Sequence, residues 1–314
     1  MRCVWLIAVL MVPLSLFSQQ QLHVSKQQKF PKSVPAGNYS GITPLGNGRY
    51  AVVCDKSADG FYVFHIDIDT VALRIRSVAV EGYYESGRPC RDQESVAFVP
   101  ASNTVFIGGE KDNRVLEYTM AGELTGRQLP LPENIRQASQ NYGLESLAYS
   151  ECSHRFFTVT ERPLPGDSLL RILTFDDQLC PGRAYSYRLD SFKSKHGGST
   201  VHGVSALCAV DCNRLLVLER MVHIPRHKLG ASADCRIYEL RLADDDQEPV
   251  KHRLWRVKTR MNLVQQNLAN YEGLCVAHRL ADGRYVLLLL ADSQGQYRGL
   301  LRDWFRLVTV RFDT

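Results

Sequence analysis

The stretch from Asn270 to Ser293, NYEGLCVAHRLADGRYVLLLLADS, holds two apolar runs separated by the turn sequence ADGRY. An Asp-Gly or Asn-Gly turn between apolar runs joins antiparallel strands, so the stretch predicts a β-hairpin. A close copy, NYSGITPLGNGRYAVVCDKS, begins at Asn38 and has an Asn-Gly turn at the corresponding place. The same hairpin therefore occurs at both ends of the chain.

Three further copies lie between these two. They are DQESVAFVPASNTVFIGGEKDN from Asp92, NYGLESLAYSECSHRFFTVTERP from Asn141 and VHGVSALCAVDCNRLLVLERM from Val201. A third strand with period-two alternation follows most copies, and a fourth is readable in places. The five copies start 49 to 69 residues apart. Repeats of about 40–50 residues with four strands each are typical of propeller blades.

The sequence therefore predicts an all-β fold, a β-propeller of five to six four-stranded blades. Five blades are visible as copies of the hairpin. A sixth would be assembled from the segment after Arg241 and the two termini, because a propeller ring is usually closed by strands from both ends. A pair of β-sandwiches is the alternative, but it does not explain a repeated unit.

The N-terminus has the pattern of an export signal. Arg2 precedes an apolar run from Val4 to Phe17, and the small residue Ser18 follows it. This pattern predicts a signal peptide over residues 1–18, with a transmembrane anchor as the alternative. We then expect an N-terminal segment over residues 19–37 and the propeller domain over residues 38–314. The protein is predicted to be secreted or periplasmic, with no membrane span after cleavage.

The composition is that of a globular protein, with 45% hydrophobic and 23% charged residues among 314. The net charge of +5 is spread along the chain. A basic run, KHRLWRVKTR (Lys251 to Arg260), is interpreted as the exposed side of a strand, because it lacks the basic and aromatic interleaving of nucleic-acid binders. Nucleic acid is therefore not an expected partner, and the oligomeric state is not determined by the sequence.

Eight cysteines remain after Cys3 is removed with the signal. An even number in an exported chain favours disulfides. Strand geometry predicts one bond between Cys54 and Cys90 at one rim of the ring. It predicts a second bond, between Cys152 and Cys180, at the opposite rim.

Acidic residues recur where the hairpins meet one face of the ring. The start of each first strand and the end of each second strand share that face, because the two strands are antiparallel. The first strands contribute Glu94, Glu145 and Glu272, with His202 in the fourth copy and Ser40 in the first. The second strands end at Asp55, Glu110, Glu161, Glu219 and Asp292, and the cations Lys56, Lys111, Arg162 and Arg220 follow.

Carboxylates crowded around one axis raise each other's pKa unless cations share the space. Oxygen ligands from several chain positions suit Ca²⁺, the candidate cofactor, and Arg or Lys side chains suit phosphate or carboxylate. The predicted catalytic residues are Glu94, Glu145, Glu219 and Glu272, and the predicted metal ligands are Glu94, Glu145, Glu272 and Asp292. The predicted substrate-binding residues are Lys111, Arg162, Arg220 and His202. The alternative is a purely structural ring of salt bridges between blades.

Several phrases of the chain resemble a known family. NYEGLCVA, DQESVAF, GLESLAY, TERP, and VSAL followed by LLVLER are similar to the family described as esterase-like activity of phytase, over about Asn38 to Phe312. The resemblance implies a secreted or periplasmic propeller-like protein that hydrolyses phosphate esters. The positions that match are Glu94, Glu145, Glu219, Arg220 and Glu272. Ser40 departs from the pattern, since it stands where NYEGL has its glutamate.

Three functions follow as hypotheses. The first is a phosphoesterase in which Ca²⁺ held by the acidic rim polarises a phosphate ester. The second is a non-enzymatic module that binds a ligand or partner across the propeller face, because one fold hosts many functions. The third is a Ca²⁺-dependent lactonase or another carboxylic-ester hydrolase. The expected partner of an enzyme of either kind is a small-molecule ester or phosphate ester.

Overall fold

The computed structural model describes residues 22–138, 143–192, 197–227, 229–243 and 248–312. These residues form five four-stranded antiparallel sheets arranged as a five-bladed β-propeller. The innermost strands of the sheets contact one another in a closed ring around a central axis. The predicted fold class is therefore confirmed, with five blades.

The blades follow one another along the chain, each with its innermost strand first. Blade one contains β2 (Tyr39–Gly46), β3 (Arg49–Cys54), β4 (Gly60–Asp69) and β5 (Arg74–Glu85). Blade two contains β6 (Gln93–Val99), β7 (Thr104–Gly109), β8 (Arg114–Thr119) and β9 (Leu124–Gln128), and α1 (Glu133–Arg136) follows it. Blade three contains β10 (Leu144–Ser150), β11 (Arg155–Thr160), β12 (Leu170–Asp176) and β13 (Tyr185–Tyr187). Blade four contains β14 (Gly198–Ala209), β15 (Arg214–Pro225), β16 (Ala231–Arg241) and β17 (Val250–Met261).

Blade five is completed by both ends of the chain. It contains β18 (Asn270–Arg279), β19 (Tyr285–Asp292), β20 (Phe305–Val310) and, outermost, β1 (His23–Val24), with a 3₁₀ turn at Tyr297–Gly299. The predicted closure by strands from the two termini is thus observed, but it completes the fifth blade and forms no sixth. The segment after Arg241 supplies β17, the outer strand of blade four.

The structure places the described part of the N-terminal segment, residues 22–37, on the propeller, since β1 pairs with β20. The predicted signal peptide, residues 1–18, lies outside the described residues. Within the described ranges, no helix combines the length and apolar character needed to cross a membrane.

Both faces of each inner strand are buried. Successive side chains of a strand point to opposite faces of the sheet. In β15, Leu216 and Leu218 pack in the cluster shared with blade five, while Leu215 and Val217 pack in the cluster shared with blade three. The strands near the axis therefore read as continuous apolar runs, such as YVLLLLA from Tyr285, in place of a hydrophobic–polar alternation.

The hairpin turns have the backbone that their sequences predict. Asn47 and Gly48 have φ angles of 53° and 74°. A two-residue type I′ turn requires positive φ at both central positions, and Asn-Gly adopts it at low cost. The turn between β2 and β3 is therefore encoded locally.

The disulfide in the structure joins Cys152 to Cys212, so the predicted pairing of Cys152 with Cys180 is wrong. Cys152 lies in the turn between β10 and β11, and Cys212 lies in the corresponding turn of blade four. Corresponding turns of adjacent blades are neighbours on one rim, and the two Cα atoms are 5.0 Å apart. Cys180 lies beyond the third strand, farther from the axis, and is an exposed thiol.

The other predicted disulfide is also absent, since Cys54 and Cys90 are separate thiols. Cys54 is buried in its blade, where its Sγ accepts a hydrogen bond from the backbone N–H of Asn38 (3.4 Å). The Sγ of Cys90 instead lies 2.9 Å from the backbone oxygen of Asp55.

We expect Cys212→Ser to lower the free energy of unfolding by about 2–4 kcal/mol, because the disulfide closes a long loop in the unfolded chain. The loop spans a sequence separation of 60 residues. Urea denaturation of the oxidised protein measures the loss, and Cys180→Ser is the matched control that removes an exposed thiol. Equal stability of the Cys212→Ser variant and the control would contradict the assigned bond.

Candidate functional site

A β-bulge interrupts each of the five innermost strands, near the start of the strand in every blade except blade four, whose first strand is longer. The residue that the bulge leaves unpaired is Ser40, Glu94, Glu145, Ser205 or Glu272 in blades one to five. A bulge breaks the in-and-out alternation of a strand and re-aims one side chain. These five residues all line one small cavity on the propeller axis. The three predicted glutamates of the first strands therefore converge as expected.

The two serines of this ring tie neighbouring blades together. Ser40 Oγ donates a hydrogen bond to the backbone oxygen of Gln93 (2.5 Å), and Ser205 Oγ donates one to that of Tyr271 (3.0 Å). Each acceptor lies in the innermost strand of the next blade. Blades one and four thus place a hydroxyl where the other three place a carboxylate.

A second ring of side chains comes from the second strand of each blade. Each of its residues follows the residue that pairs with the innermost strand just before the bulge. The residues that pair just before each bulge are Cys54, Gly109, Thr160, Glu219 and Ala291. The next residues along the chain are Asp55, Glu110, Glu161, Arg220 and Asp292. Blade four therefore places a cation, Arg220, where the other blades place a carboxylate.

The structure corrects the predicted alignment of blade four. Glu219 is fully buried away from the axis, where it accepts hydrogen bonds from Tyr187 Oη (2.6 Å) and Lys251 Nζ (2.6 Å) at the contact between blades three and four. His202 lies beside it, with Nε2 4.0 Å from Glu219 Oε2 and its ring 4.5 Å from that of Phe192. The first-strand position assigned to His202 belongs to Ser205, so neither Glu219 nor His202 lies in the axial rings.

Arg220 is the centre of the axial cluster. Its Nη2 lies 2.8 Å from Glu145 Oε1 and 3.3 Å from Glu161 Oε1. Its Nη1 lies 2.5 Å from Glu272 Oε1 and donates to Asn270 Oδ1 at 3.0 Å. One guanidinium thus holds glutamates from blades three and five, as a structural ring of salt bridges predicts. The Nε of Arg220, however, is buried and has no hydrogen-bond partner in the described chain.

Burial and mutual repulsion keep part of this cluster protonated. Burial raises the pKa of Glu145 to about 8 and that of Asp292 to about 6. Burial, together with neighbouring carboxylates, also raises the pKa of Glu94 and of Glu272 well above the usual range, although Arg220 opposes the shift at Glu272. At neutral pH the axis therefore contains both carboxylic acids, which can donate a proton, and carboxylates, which can accept one.

A second group of acids lies where blades one and two meet at the axis. Asp55, Asp92 and Glu94 each place one carboxylate oxygen within 4.8 Å of the others. Lys56 Nζ lies 2.6 Å from Asp92 Oδ1 and 3.0 Å from Asp55 Oδ2, and its side chain is 62% exposed. Asp55 Oδ1 is buried and has no hydrogen-bond partner among the described residues. Such a set of hard oxygens fits a divalent cation like Ca²⁺.

The predicted metal ligands divide between these two groups. Glu94 belongs to the group that fits a cation, whereas Glu145 and Glu272 are paired with Arg220. Asp292 lies on the rim, where its Oδ1 accepts a hydrogen bond from the backbone N–H of Gln294 (2.6 Å). Asp92, which the sequence reasoning missed, stands two residues before Glu94.

The two remaining predicted substrate-binding cations lie at the edge of the cluster. Arg162 pairs with Glu161 through Nε (3.0 Å) and Nη2 (2.9 Å) and remains 30% exposed. Lys111 is exposed, and its Nζ lies 3.4 Å from the backbone oxygen of Cys90. Both cations are therefore accessible to an anionic group that approaches the axis from this face.

An apolar recess adjoins the cluster. Blade four extends beyond the other blades, and its extension faces the 3₁₀ turn of blade five. The recess between them has a volume of about 140 Å³, and Asn270 and Asp292 form part of its lining. Its apolar walls are formed by Val222, Ile224, Leu268, Tyr297, Leu300 and Leu301. An apolar group bound here would lie next to the acidic cluster.

One family model covers most of the chain. The family model described as phytase-like, esterase-like activity of phytase, matches residues 34–294. The chain is similar to the structure of a DUF4221-family protein from Bacteroides vulgatus, at 12% identity over 94% of this chain and 98% of that chain, with a TM-score of 0.42. No curated protein matches the chain.

Two other solved structures show a similar degree of likeness. One is hydrazine synthase of Kuenenia stuttgartiensis, at 9% identity over 88% of this chain and 82% of that chain, with a TM-score of 0.40. The other is a protein from Lactobacillus plantarum, at 13% identity over 82% of each chain, with a TM-score of 0.39.

Proposed function

Because this chain belongs to the phytase-like family with esterase-like activity, we propose that it is an exported, metal-assisted phosphoesterase acting at the axial acidic cluster. One observation carries the proposal. Arg220 sits at the centre of ionisable glutamates with a buried Nε–H that no described residue accepts. A phosphate oxygen is a suitable acceptor, since arginine donors match phosphate oxygens in charge and geometry.

The pKa values of the cluster supply an acid and a base. Glu145, whose pKa burial raises to about 8, is largely protonated at neutral pH and can give its proton to the leaving alcohol. Asp292, whose pKa burial raises to about 6, is largely ionised at the same pH and can accept a proton from the attacking water. Two carboxyl groups whose surroundings separate their pKa values in this way are suited to opposite roles.

The acids between blades one and two would hold the metal ion. Asp55, Asp92 and Glu94 are the residues that fit Ca²⁺, with Lys56 free to turn outward because most of its side chain is exposed. When bound, the ion would neutralise charge on the phosphate oxygens. Arg162 and Lys111 lie at the rim, where they can attract the anionic substrate.

A second candidate function is hydrolysis of carboxylic esters, including lactones. The observation that favours it is the apolar recess, which ends at Asn270 and Asp292. An acyl chain or an apolar alcohol fits such walls better than a heavily charged substrate does. In this case Arg220 Nε would donate to the carbonyl oxygen as negative charge develops on it.

Two chromogenic substrates with the same leaving group separate these candidates. We expect hydrolysis of 4-nitrophenyl phosphate to depend on Ca²⁺ and to stop with a chelator, and hydrolysis of 4-nitrophenyl butyrate to stay near background. The reverse preference would support the carboxylic-ester hydrolase. If neither substrate is turned over and a ligand still raises the melting temperature, the non-enzymatic binding module replaces both.

We expect Glu145→Gln to lower kcat about 100-fold or more, because it removes the proposed general acid while keeping the size of the side chain. The matched control is Glu151→Gln, which makes the same change at an exposed site on the opposite mouth of the ring. Initial rates at saturating substrate measure the effect. Equal rates for the two variants would exclude Glu145 as the acid.

The disulfide supports the export part of the proposal. A bond between Cys152 and Cys212 is expected in an oxidising compartment, such as the periplasm or the extracellular space. Fractionation of cells that express the full chain tests it, and we expect the processed protein outside the cytoplasm. Retention of the full-length chain in the cytoplasm would contradict export.

A further inference from the structure

The outer half of blade four carries a basic groove. Strand β17 places Arg253, Arg256, Lys258 and Arg260 along the groove, and Arg236 of β16 lines it from below. Leu254 is the extra residue at a register shift between β16 and β17, which keeps Arg253 on the same face as Arg256. The groove has a volume of about 740 Å³, and the segment from Asp190 to Phe192 forms its other wall.

The charges in this groove do not balance. Five cations line it against two carboxylates, those of Asp190 and Asp234. Asp234 is already engaged, since Arg256 donates to it twice, at 2.9 and 2.6 Å. Asp190 accepts hydrogen bonds from Tyr238 Oη (2.6 Å) and from Lys251 Nζ (3.0 Å).

Two guanidinium groups are left over. Arg253 and Arg260 have exposed side chains, and neither forms an ion pair with any residue of the described ranges. The unbalanced charge is therefore concentrated at the two ends of the row.

A buried donor lies at the floor of the groove. The Arg236 side chain is 7% exposed, and its guanidinium stacks 3.7 Å from the ring centroid of Phe192. Nη1 donates to the backbone oxygen of Ser191 at 3.3 Å. Nε is buried and finds no hydrogen-bond partner in the part of the chain that the structure describes; it lies 3.7 Å from Asp234 Oδ1. A buried donor without an acceptor is unfavourable, so an acceptor supplied by a ligand would bind favourably here.

We propose that this groove binds a linear polysaccharide that carries sulfate groups. Side chains on one face of a strand repeat about every 6.6 Å, so β17 presents a row of cations to a chain of regularly spaced anions. Arginine is well suited to such oxyanions because its planar fork donates two parallel hydrogen bonds.

The lining of the groove argues against nucleic acid as the occupant. Single-stranded nucleic acids are held by aromatic side chains on which bases stack. The aromatic residue in this lining is Phe192, and Arg236 already covers its ring. The groove is separate from the axial cluster, so the inference does not depend on the proposed catalysis.

Binding of a fluorescent heparin decasaccharide to the full chain, measured by anisotropy, tests the proposal. We expect the affinity to fall as NaCl rises from 50 to 200 mM, because surface ionic contacts are screened. The double variant Arg253→Ala/Arg260→Ala should bind at least tenfold more weakly. The matched control, Arg114→Ala/Arg171→Ala, removes the same charge from exposed sites on blades two and three and should bind within twofold of the unmodified protein.

Three outcomes would overturn the proposal. The first is no binding at 50 mM NaCl. The second is equal weakening in the two double variants, which would indicate a diffuse attraction to the whole surface. The third is an affinity for single-stranded DNA of equal charge that matches the affinity for heparin and falls by the same factor in Arg253→Ala/Arg260→Ala. Rates of ester hydrolysis should be the same in both double variants, because neither changes the axial cluster.

Discussion

Replacing Arg220 with methionine is expected to lower the free energy of unfolding by about 3–5 kcal/mol at pH 8, because it leaves buried carboxylates without their cation. Arg220 contacts Glu145, Glu161 and Glu272, all of them buried. The methionine side chain is unbranched like that of arginine and occupies much of the same space, but it carries no charge. The loss should be smaller at pH 5.5, where the glutamates take up protons and no longer need a cation.

Urea denaturation at the two pH values measures this effect. The control is Arg162→Met, which removes a partly exposed arginine that pairs with Glu161, and which should cost about 1 kcal/mol or less. Adding Glu272→Gln to Arg220→Met should recover part of the stability, because it removes one of the uncompensated charges. An equal loss at both pH values would show that lost packing, and not lost charge, destabilises the variant.

The same substitution tests the proposed chemistry. Arg220 Nε is the unpartnered donor that would bind the substrate oxygen, so Arg220→Met should also lower kcat/KM about 1,000-fold, within the range seen when one preorganised donor is removed from an active site. Measurement at pH 5.5, where the variant keeps most of its stability, separates the catalytic loss from unfolding. Activity within tenfold of the unmodified protein would exclude Arg220 from substrate binding.

The fold could be predicted because its information is local. Each hairpin turn is encoded by residues such as Asn47 and Gly48, which accept positive φ. A residue that lines the axis is followed by a small residue and then an apolar one, as in Ser40-Gly-Ile, Glu94-Ser-Val and Glu272-Gly-Leu. In the structure this pattern accompanies the bulge in each innermost strand. The alignment of the hairpin copies is sufficient to locate four of the five axial positions.

Blade four could not be aligned from the sequence alone because the pattern occurs twice in β14. His202-Gly-Val and Ser205-Ala-Leu both fit it. Strands β14 and β15 extend beyond the rim of the ring. The distance of a residue from the start of β14 therefore does not show whether it lies at the axis. The hydrogen-bond register identifies Ser205 as the axial residue, since Glu219 pairs with Val204 just before the bulge. The shift moves Glu219 into the contact between blades and brings Arg220 to the axis.

The repeat pattern does not predict which residues of different blades contact one another. The disulfide joins corresponding turns of adjacent blades, a relation that eight cysteines with 105 possible pairings do not reveal. The run from Lys251 to Arg260 was interpreted as the exposed side of a strand, and its arginines are indeed exposed. The sequence does not show that Arg236, from the neighbouring strand, lies beneath them with a free donor.

The protein should become less stable as the pH rises from 5.5 to 8.5. Burial raises the pKa of Glu145 to about 8, whereas a glutamate in the unfolded chain has a pKa near 4.3. Between these values the folded state binds more protons than the unfolded state, so raising the pH favours unfolding. Each excess proton costs about 1.4 kcal/mol per pH unit, so Glu145 alone contributes a loss on the order of 3–4 kcal/mol across this range.

Urea denaturation at half-unit pH steps in the presence of a chelator measures this slope. Glu145→Gln should make the slope shallower, because a neutral amide has no proton to lose, whereas Glu151→Gln at the exposed mouth should leave the slope unchanged. Adding Ca²⁺ at pH 8.5 should restore part of the stability, by about 2.7 kcal/mol at 100 times its dissociation constant, because the ion binds ionised carboxylates in the folded state. Stability that rises with pH over this interval would mean that the axial glutamates are fully ionised and paired. Glu145 would then carry no proton at neutral pH, which would exclude it as the general acid.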